Sequence, residues 1–201
     1  VTRRSRETLL LCEAAGFDVI LVETVGVGQS ETKVADMTDM FEQLLQPGAG
    51  DQMQGIKRGI MELADLLLIN QADDGREELA LRSANEYTHA LQLLRPRSTE
   101  WKVEVKTCSA RDNVGIDAAW DAVTRHQAAL ERSDRLAAVR AEQARAWLWS
   151  EVQDSLVSDL LDKYGTGHRI SELENAVADG RIPATTAAEE LLDIYLKKKE
   201  S

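Results

Sequence analysis

Cysteine is scarce in this sequence, which contains only two, Cys12 and Cys108, among 201 residues. The two lack the close spacing of metal-binding cysteine pairs, so we expect reduced thiols in the core of a cytoplasmic protein. Histidine is almost as rare, and its three residues are scattered singly along the chain. We interpret them as helix or surface residues rather than as a cluster of ligands.

Positive charge is also in short supply. Lysine and arginine number 24 against 35 aspartates and glutamates, which gives a formal net charge of −11. Sequence-independent binding to nucleic acid needs a cationic surface, so this composition argues against nucleic acid as a partner. It leaves a nucleotide site open, because backbone N–H groups and one metal ion are enough to bind phosphates.

Long apolar runs are missing as well. No segment approaches the roughly 18–20 apolar residues that a membrane-spanning helix needs. The basic N-terminal segment is not followed by the apolar core of a signal peptide; Thr2 to Ala15 instead has the pattern of a helix that turns Leu9, Leu10 and Cys12 inward. We therefore expect a cytoplasmic protein that has no membrane as a partner.

A phosphate-binding loop of the GxxxxGK[ST] type is absent, because no Gly-Lys dipeptide occurs in the chain. The loop Gly26 to Glu31 contains two glycines but lacks the required lysine. The sequence also begins without methionine and inside a helical pattern. We expect it to be part of a longer protein, with a gap in the sheet where the remaining part belongs.

The sequence does contain a strand-like apolar run that ends in a carboxylate. Val19 to Val22 does not alternate with polar residues, which is typical of a parallel strand covered on both faces. In open α/β sheets, ligands bind beyond the carboxyl ends of such strands. There Glu23 could hold Mg²⁺ through water, and the Gly26 amide could meet a γ-phosphate. A plain core strand followed by a loop explains this stretch alone equally well.

Strand and helix patterns then alternate. Strands are predicted over Thr38–Leu45, Asp65–Asn70 and Val103–Thr107, the last near a sheet edge because it alternates apolar and polar residues. Helices are predicted over 60–64, 75–94 and from 113 onward. This order predicts an α/β domain with a parallel sheet. The strand ends at Glu23, Asn70 and Ser109 would then meet at one edge, where we expect a ligand.

A glycine-rich loop, PGAGDQMQGIKRG, separates the first of these helices from the strand before it. Its composition favours movement, with Gln54 and Lys57 free to point outward. A solvated surface connection is the alternative interpretation.

Strand patterns stop near residue 128, so we expect an α/β domain over 1–128 and a helical module over 129–201. Ser133 to Tyr164 has the pattern of one long helix, followed by short helices over 170–177 and 184–196. Its two apolar stripes together are wider than one contact covers, which favours a helical module that also dimerises. A single thick core is the alternative.

The Asn-x-x-Asp spacing after the second buried strand fits the recognition of guanine. The Asp73 carboxylate can accept hydrogen bonds from the ring N1–H and the exocyclic amino group, whereas adenine has no donor at N1. Such charge-assisted bonds contribute about 1.5–3 kcal/mol each. Asn70 would tie the loop to its neighbours, and Ser109 and Ala110 would bring backbone N–H groups near the guanine carbonyl oxygen.

With these residues the chain resembles the MeaB/ArgK family of GTPases, which serve adenosylcobalamin-dependent methylmalonyl-CoA mutase and were once described as arginine/ornithine transport kinases. The resemblance covers essentially the whole chain. The matching blocks are DVILVETVGVGQSE (18–31), PGAGDQMQGIKRGIMELADL (47–66), NQAD (70–73), TCSARDNVGI (107–116) and GRIPATTAAEELL (180–192). The second block is the most specific of them.

The resemblance implies a P-loop NTPase-type parallel sheet, lacking its N-terminal part, followed by a C-terminal helical dimerisation arm. It implies GTP or GDP with Mg²⁺, a homodimer, and an adenosylcobalamin-dependent acyl-CoA mutase as the partner. Glu23 would lie near the metal, and Gln54 and Lys57 would belong to a switch loop that couples the nucleotide to the mutase, where they are candidate catalytic residues. The implied guanine-binding residues are Asn70, Gln71, Asp73, Ser109, Ala110 and Arg111.

The chain departs from the family pattern in two places. The guanine motif usually reads Asn-Lys-x-Asp, with the lysine stem over the base plane, and Gln71 stands in its place. We therefore expect weaker nucleotide binding, which Gln71→Lys should tighten. In the family, the phosphate loop and first switch precede the position of Val1. Since positioning of the phosphates and Mg²⁺ supplies most of the catalysis, we expect these 201 residues alone not to hydrolyse GTP.

Two alternatives to a GTP-hydrolysing metallochaperone stay open at this point. One is a non-catalytic helical dimerisation scaffold with a degenerate nucleotide site, and the other is an ATP-dependent kinase, as the older family name suggests. Asp73 argues against the kinase because adenine offers it no donor at ring N1. Partner binding that does not depend on nucleotide would favour the scaffold.

Overall fold

The computed structural model describes residues 3–24, 30–48, 57–94, 98–162 and 167–199. The strands of this part are β1 (Glu42–Leu45), β2 (Leu66–Ile69) and β3 (Glu104–Thr107). Its helices are α1 (Arg3–Ala14), α2 (Ser30–Ala35), α3 (Lys57–Leu63), α4 (Glu77–Gln92), α5 (Ile116–Arg132), α6 (Arg135–Asp162), α7 (Gly167–Ala178) and α8 (Ala184–Lys199). From β1 to α5 strands and helices alternate, as predicted for an α/β domain.

The three strands form a parallel sheet with β2 in the middle. The register places Leu45 of β1 beside Ile69 of β2, and Ile69 beside Thr107 of β3. Because all three strands run in the same direction, the residues that follow them emerge at the same edge. The parallel sheet confirms the predicted fold class, and β3 lies at an edge of the described sheet as its alternating pattern predicts.

Strand β2 is buried on both faces because helices cover the sheet on both sides. Leu67 and Ile69 pack in one core cluster with Tyr87 of α4, while Leu66 and Leu68 pack on the other face with residues of α5. Full burial of such a side chain contributes about 1.5–3 kcal/mol. Strand β2 is thus the most firmly held element of the sheet, and the loop that follows it starts from a fixed point.

The strand predicted over Val19–Val22 is not formed. Residues 17–24 have no regular secondary structure, and Val19 and Leu21 are 51% and 88% exposed, although Val22 packs against the core. A strand requires a partner for its backbone N–H and C=O groups. Within the described residues the sheet consists of β1, β2 and β3, and this segment pairs with none of them. The prediction is wrong because an apolar run indicates burial but does not supply a neighbouring strand.

Three smaller predictions also differ from the structure. Strand β1 is shorter than predicted and begins at Glu42, because Thr38 instead donates its hydroxyl to the Val34 carbonyl and closes a turn. Helix α2 was not predicted from the glycine loop beside it. Leu10 of α1, predicted to turn inward, is 49% exposed.

The chain divides into two compact units, residues 1–143 and 144–201, whereas the end of the strand patterns predicts a boundary after residue 128. Helix α6 starts in the first unit and ends in the second. Its first turns are bound within the first unit: Arg140 forms an ion pair with Asp39, and the Gln143 amide donates to the Thr38 carbonyl at 2.9 Å.

The described residues of the second unit form helices joined by a short turn between α7 and α8. Helices α7 and α8 bury Leu173, Ala176, Ala187 and Tyr195, and the Tyr195 hydroxyl donates to Asp159 of α6 at 3.2 Å. The stripe predicted on α6 from Trp149, Val152 and Leu156 is exposed, at 64%, 36% and 49%. As far as the described residues go, one apolar stripe of α6 is therefore exposed.

Candidate nucleotide-binding site

Two loops leave the sheet at the same edge, residues 70–76 after β2 and residues 108–115 after β3. Backbone hydrogen bonds join them directly beyond the strands. The Cys108 N–H donates to the Ile69 carbonyl at 2.9 Å, and the Ala72 N–H donates to the Cys108 carbonyl at 3.0 Å. The parallel pairing of β2 with β3 thus continues past the last strand residues. This continuation fixes the two loops relative to each other.

Asn70 ties the two loops together through its side chain. Its backbone N–H donates to the Leu45 carbonyl at the end of β1 at 2.9 Å. Its side-chain Oδ1 accepts a hydrogen bond from the Ala110 N–H at 3.0 Å and lies 3.7 Å from the Cys108 Sγ. An asparagine at this position therefore contacts all three strand ends of the described sheet.

Asp73 and Ser109 form a buried pair at the centre of the site. Their side chains are 5% and 1% exposed, and the Ser109 hydroxyl donates to Asp73 Oδ2 at 2.5 Å. Ser109 Oγ in turn accepts the Asp112 N–H at 3.1 Å, which fixes the direction of its proton. An ionised carboxylate has about four acceptor positions. The serine takes one of them and holds the carboxylate in place.

Arg76, immediately before α4, binds the 70–73 loop at three points. Its Nη2 donates to Asp73 Oδ1 at 3.2 Å, its Nη1 to Gln71 Oε1 at 3.0 Å, and its Nε to the Asp73 carbonyl at 3.4 Å. Gln71 has a positive φ of 65°, an uncommon conformation for a residue other than glycine. This turn brings the Gln71 side chain within reach of the arginine.

Arg111 lies at the rim, donates hydrogen bonds to Asp74 and Asp112, and forms a longer ion pair with Asp73. It forms a bidentate ion pair with Asp74 and a second pair with Asp112 at 2.9 Å. The hydrogen bonds that Arg111 donates to Asp74 raise the pKa of Arg111, and the hydrogen bonds from Arg111 lower the pKa values of Asp74 and Asp112. Its Nη2 is 3.6 Å from Asp73 Oδ1, beyond hydrogen-bond distance.

Gly115 closes the second loop against the sheet. Ser109 and Val114 exchange backbone hydrogen bonds of 2.9 and 3.1 Å, which form a short bridge across the turn. Gly115 then adopts a φ of 76°, and a Cβ atom there would lie 2.5 Å from the Thr107 carbonyl. Only glycine combines this backbone conformation with such a close approach.

Comparison with known proteins identifies the family of this chain. A family profile described as "Methylmalonyl Co-A mutase-associated GTPase MeaB" matches residues 1–164.

The chain belongs to the MeaB family.

Several proteins of this kind are similar to it along most of its length. A "Putative GTPase" of Caulobacter vibrioides is 47% identical over 195 residues, which cover 97% of this chain and 60% of that protein. The "Methylmalonic aciduria type A homolog, mitochondrial" of Mus musculus is 43% identical, over 97% of this chain and 47% of that protein. The "GTPase ArgK" of Escherichia coli is 46% identical, over 79% and 48%. The chain thus spans about half to three-fifths of the length of these relatives.

A solved structure shares the fold. The "Crystal structure of LAO/AO transport system kinase" matches with a TM-score of 0.77 and 38% identity, covering 96% of this chain and 62% of that one. The α/β fold is therefore that of the P-loop NTPases, as predicted for a MeaB-family chain.

The remaining site residues predicted for this MeaB-family chain are those of the metal and phosphate side. Glu23 is exposed and belongs to the irregular segment 17–24. Gly26 and Gln54 lie outside the described residues, and Lys57 is the first residue of α3. Within the described ranges, no group of three or more His, Cys, Asp or Glu side chains could hold a metal ion. The structure thus brings together Asn70 with Ala110 and Asp73 with Ser109, and links Gln71 to Asp73 through Arg76. The predictions for the phosphate side stay predictions.

Sequence reasoning missed Arg76 and Asp74. An arginine one residue before a helix is ordinary, and the only signal was its position just after the Asp-Gly turn that follows the guanine motif.

None of the described helices is both long and apolar enough to cross a membrane.

Proposed function

We propose that this chain is the guanine-recognising and helix-bearing part of a GTP-binding and GTP-hydrolysing metallochaperone. Its partner would be an adenosylcobalamin-dependent acyl-CoA mutase, either methylmalonyl-CoA mutase or a related enzyme. The metallochaperone would gate the loading and the protection of the cofactor of that mutase. The observation that carries the proposal is the buried Asp73 carboxylate held by Ser109 at the ends of β2 and β3. Membership of the MeaB family, and the names of the relatives, support the choice of nucleotide and partner.

Base selection follows from the acceptor positions of Asp73. Guanine presents two donors on one edge, the N1–H and the 2-amino group, and a fixed carboxylate can accept both. Adenine has an acceptor at N1, so the same carboxylate would face it without a partner. The loss of charge-assisted hydrogen bonds of about 1.5–3 kcal/mol each makes ATP a poor ligand. The two N–H groups expected near the guanine carbonyl oxygen are bound within the protein instead, since Ala110 donates to the Asn70 side chain and Ser109 donates to the Val114 carbonyl.

At the phosphate end, Mg²⁺ would be held through water by Glu23, and the Gly26 amide would contact the γ-phosphate. Mg²⁺ takes most of its ligands from water and nucleotide phosphates, so one protein carboxylate agrees with the described residues, which offer no larger cluster. When bound, the ion neutralises charge that develops on the phosphates. Loss of the γ-phosphate would release the Gly26 loop, and Gln54 and Lys57 would pass the change to the mutase.

The helical module, residues 129–201, would form a homodimer. The exposed apolar stripe of α6, formed by Trp149, Val152 and Leu156, would be its contact surface. The setting we propose is the cytoplasm, with neither nucleic acid nor membrane as a partner. For the 201 residues alone, we keep the expectation that GTP is not hydrolysed, to be measured as phosphate release by a preparation free of other GTPases.

Calorimetric titration of GDP and then of ADP, each with Mg²⁺, into the longest natural form of the protein that carries these residues tests the proposal. We expect GDP to bind and ADP to bind at least about 100-fold more weakly, as the loss of two charge-assisted hydrogen bonds implies. Asp73→Asn should turn the preference toward xanthosine diphosphate, whose 2-oxo group accepts from the new amide. Binding of neither nucleotide would favour the scaffold, and binding of ADP would favour the kinase.

A further inference from the structure

The guanine loop of this chain lacks the lysine that usually follows its asparagine, since Gln71 occupies that position. The structure nevertheless places a cation on the same loop. The Arg76 guanidinium contacts both Gln71 and Asp73, and its side chain is 43% exposed, so it sits at the boundary between the buried carboxylate and solvent. The positive charge on this loop therefore comes from Arg76, which lies five positions after Gln71.

Three contacts hold this guanidinium in one orientation. Its Nη1, Nη2 and Nε donate to Gln71 Oε1, Asp73 Oδ1 and the Asp73 carbonyl, at 3.0, 3.2 and 3.4 Å. A planar group bound through three nitrogens has little rotational freedom. A lysine at position 71 has no acceptor atom and could not hold the arginine in this way. Glutamine at 71 is therefore suited to an arginine at 76.

Arg76 and guanine can occupy Asp73 at the same time. Ser109 takes one acceptor position on Oδ2 and Arg76 takes one on Oδ1. Of the roughly four acceptor positions of a carboxylate, one on each oxygen remains. Two are what the N1–H and the 2-amino group of guanine require. Arg76 thus completes the set of partners rather than displacing the base.

The other nearby arginine does not have this role. Arg111 forms ion pairs with Asp74 and Asp112 and lies 3.6 Å from Asp73 Oδ1. Arg111 therefore adds charge near Asp73, but its hydrogen bonds go to the two exposed carboxylates and do not orient Asp73.

We propose that Arg76 is a positioning residue of the guanine site: it holds Asp73 in its base-binding orientation, with Gln71 as its anchor, and supplies the positive charge that the missing lysine would bring to this loop. This inference rests on the guanine site proposed above. It makes Gln71 and Arg76 a coupled pair, so substitutions at the two positions should not be additive.

The test measures dissociation constants of GDP and of inosine diphosphate, which lacks the 2-amino group, with the longest natural form of the protein. Arg76→Ala should weaken GDP about tenfold and inosine diphosphate about threefold, because the ligand with two bonds to Asp73 depends more on its orientation. Arg76→Lys should recover part of the loss. The matched control is Arg82→Ala, which removes an exposed arginine of α4 that pairs with Glu78 and should change neither constant.

A double-mutant cycle supplies the second readout. Gln71→Lys should tighten GDP binding by less than about threefold when Arg76 is present and by about tenfold in the Arg76→Ala background. Equal gains in both backgrounds would overturn the proposal, as would Arg76→Ala binding GDP as the parent does or more tightly. Failure of the parent protein to bind GDP would instead refute the proposed function itself, and this inference with it. A cooperative thermal unfolding transition of each variant shows that it is folded at the temperature of the titrations.

Discussion

Ser109 fixes the geometry of Asp73 although it would make no contact with the base through its hydroxyl. That hydroxyl is buried, donates to the carboxylate at 2.5 Å and accepts the Asp112 N–H at 3.1 Å. A buried carboxylate that loses a hydrogen-bond partner is left poorly solvated. The serine is therefore important both for the position of Asp73 and for the stability of the two loops.

Ser109→Ala should weaken GDP binding about tenfold and lower the free energy of unfolding by about 1–3 kcal/mol, since a buried acceptor loses its donor. Calorimetry and urea unfolding measure the two effects. The control is Ser133→Ala, whose exposed hydroxyl bonds only to carbonyls of the last turn of α5. Equal effects of the two substitutions would show that the Ser109 hydroxyl has no special role.

At the residue scale, the sequence identifies groups that stand at strand ends and misses groups that reach them from elsewhere. Asn70, Asp73 and Ser109 follow apolar strand patterns directly, so their convergence could be predicted from the direction of parallel strands. Arg76 reaches Asp73 only because Gln71 and the following turn adopt particular backbone angles. No sequence pattern encodes those angles strongly enough to predict the contact.

At the element scale, the junction between β3 and α5 depends on Gly115. Its φ of 76° and the 2.5 Å approach of a Cβ to the Thr107 carbonyl leave no room for a side chain. The strand end that carries Ser109 would have to shift if one were added.

Gly115→Ala should lower the free energy of unfolding by about 3 kcal/mol or more, through both the left-handed backbone and the collision. The matched control is Gly16→Ala, which has a φ of 87° but nothing within 4 Å of the added Cβ. It should cost only about 1–2 kcal/mol, the backbone part alone. Thermal or urea unfolding measures both, and similar losses would refute the role of the Thr107 carbonyl.

Strand β3 is also tied to α5 by an ion pair. Arg125 binds both carboxylate oxygens of Glu104 and lies over the Trp101 ring at 5.7 Å. Its hydrogen bonds, helped by Lys106, lower the pKa of Glu104 to about 2. Because the folded pKa is below the unfolded one, near 4.3, the pair stabilises the fold above that pH and the effect is lost as the pH falls toward 2.

Glu104→Gln should therefore lower stability by about 1 kcal/mol at pH 7, a value reduced by solvent screening of the half-exposed arginine. The difference from the parent should shrink as the pH falls from about 4 to 2. Urea unfolding at several pH values measures it. Glu78→Gln, which breaks the exposed pair with Arg82, is the control and should change stability by a few tenths of a kcal/mol at most. A difference for Glu104→Gln that stays constant with pH would contradict the assignment.

Elements were predicted well where both partners lie in this chain. The apolar pattern of β2 predicts a buried parallel strand, and in the structure β1 and β3 pair with it on either side. The equally apolar Val19 to Val22 gave no strand, because pairing is a property of two segments and sequence periodicity reports only one.

At the scale of the whole molecule, α6 belongs to both units. Its 28 residues begin beside Asp39 and end in the helical unit. Trp149, Val152 and Leu156 remain exposed there, which is consistent with the homodimer proposed above.

Leu156→Glu should convert that dimer to monomer, weakening association roughly 100-fold or more because a charge would be buried in an apolar contact. Sedimentation velocity over a range of concentrations measures this. Leu93→Glu replaces another exposed leucine, on the first unit and 87% exposed, and should leave the dimer intact. The same association constant for both variants would place the dimer contact elsewhere than the α6 stripe.

The parallel sheet also has a consequence for how the chain folds. Leu66 must pair with Glu42 on one side and with Glu104 on the other, and each partner is separated from it by a helical crossover. Such pairs form only after long loops close, which is slow, whereas α7 and α8 contact each other across a short turn. The two units should therefore refold at different speeds. In stopped-flow experiments, helical signal from residues 144–201 should return well before Tyr87 becomes buried against β2.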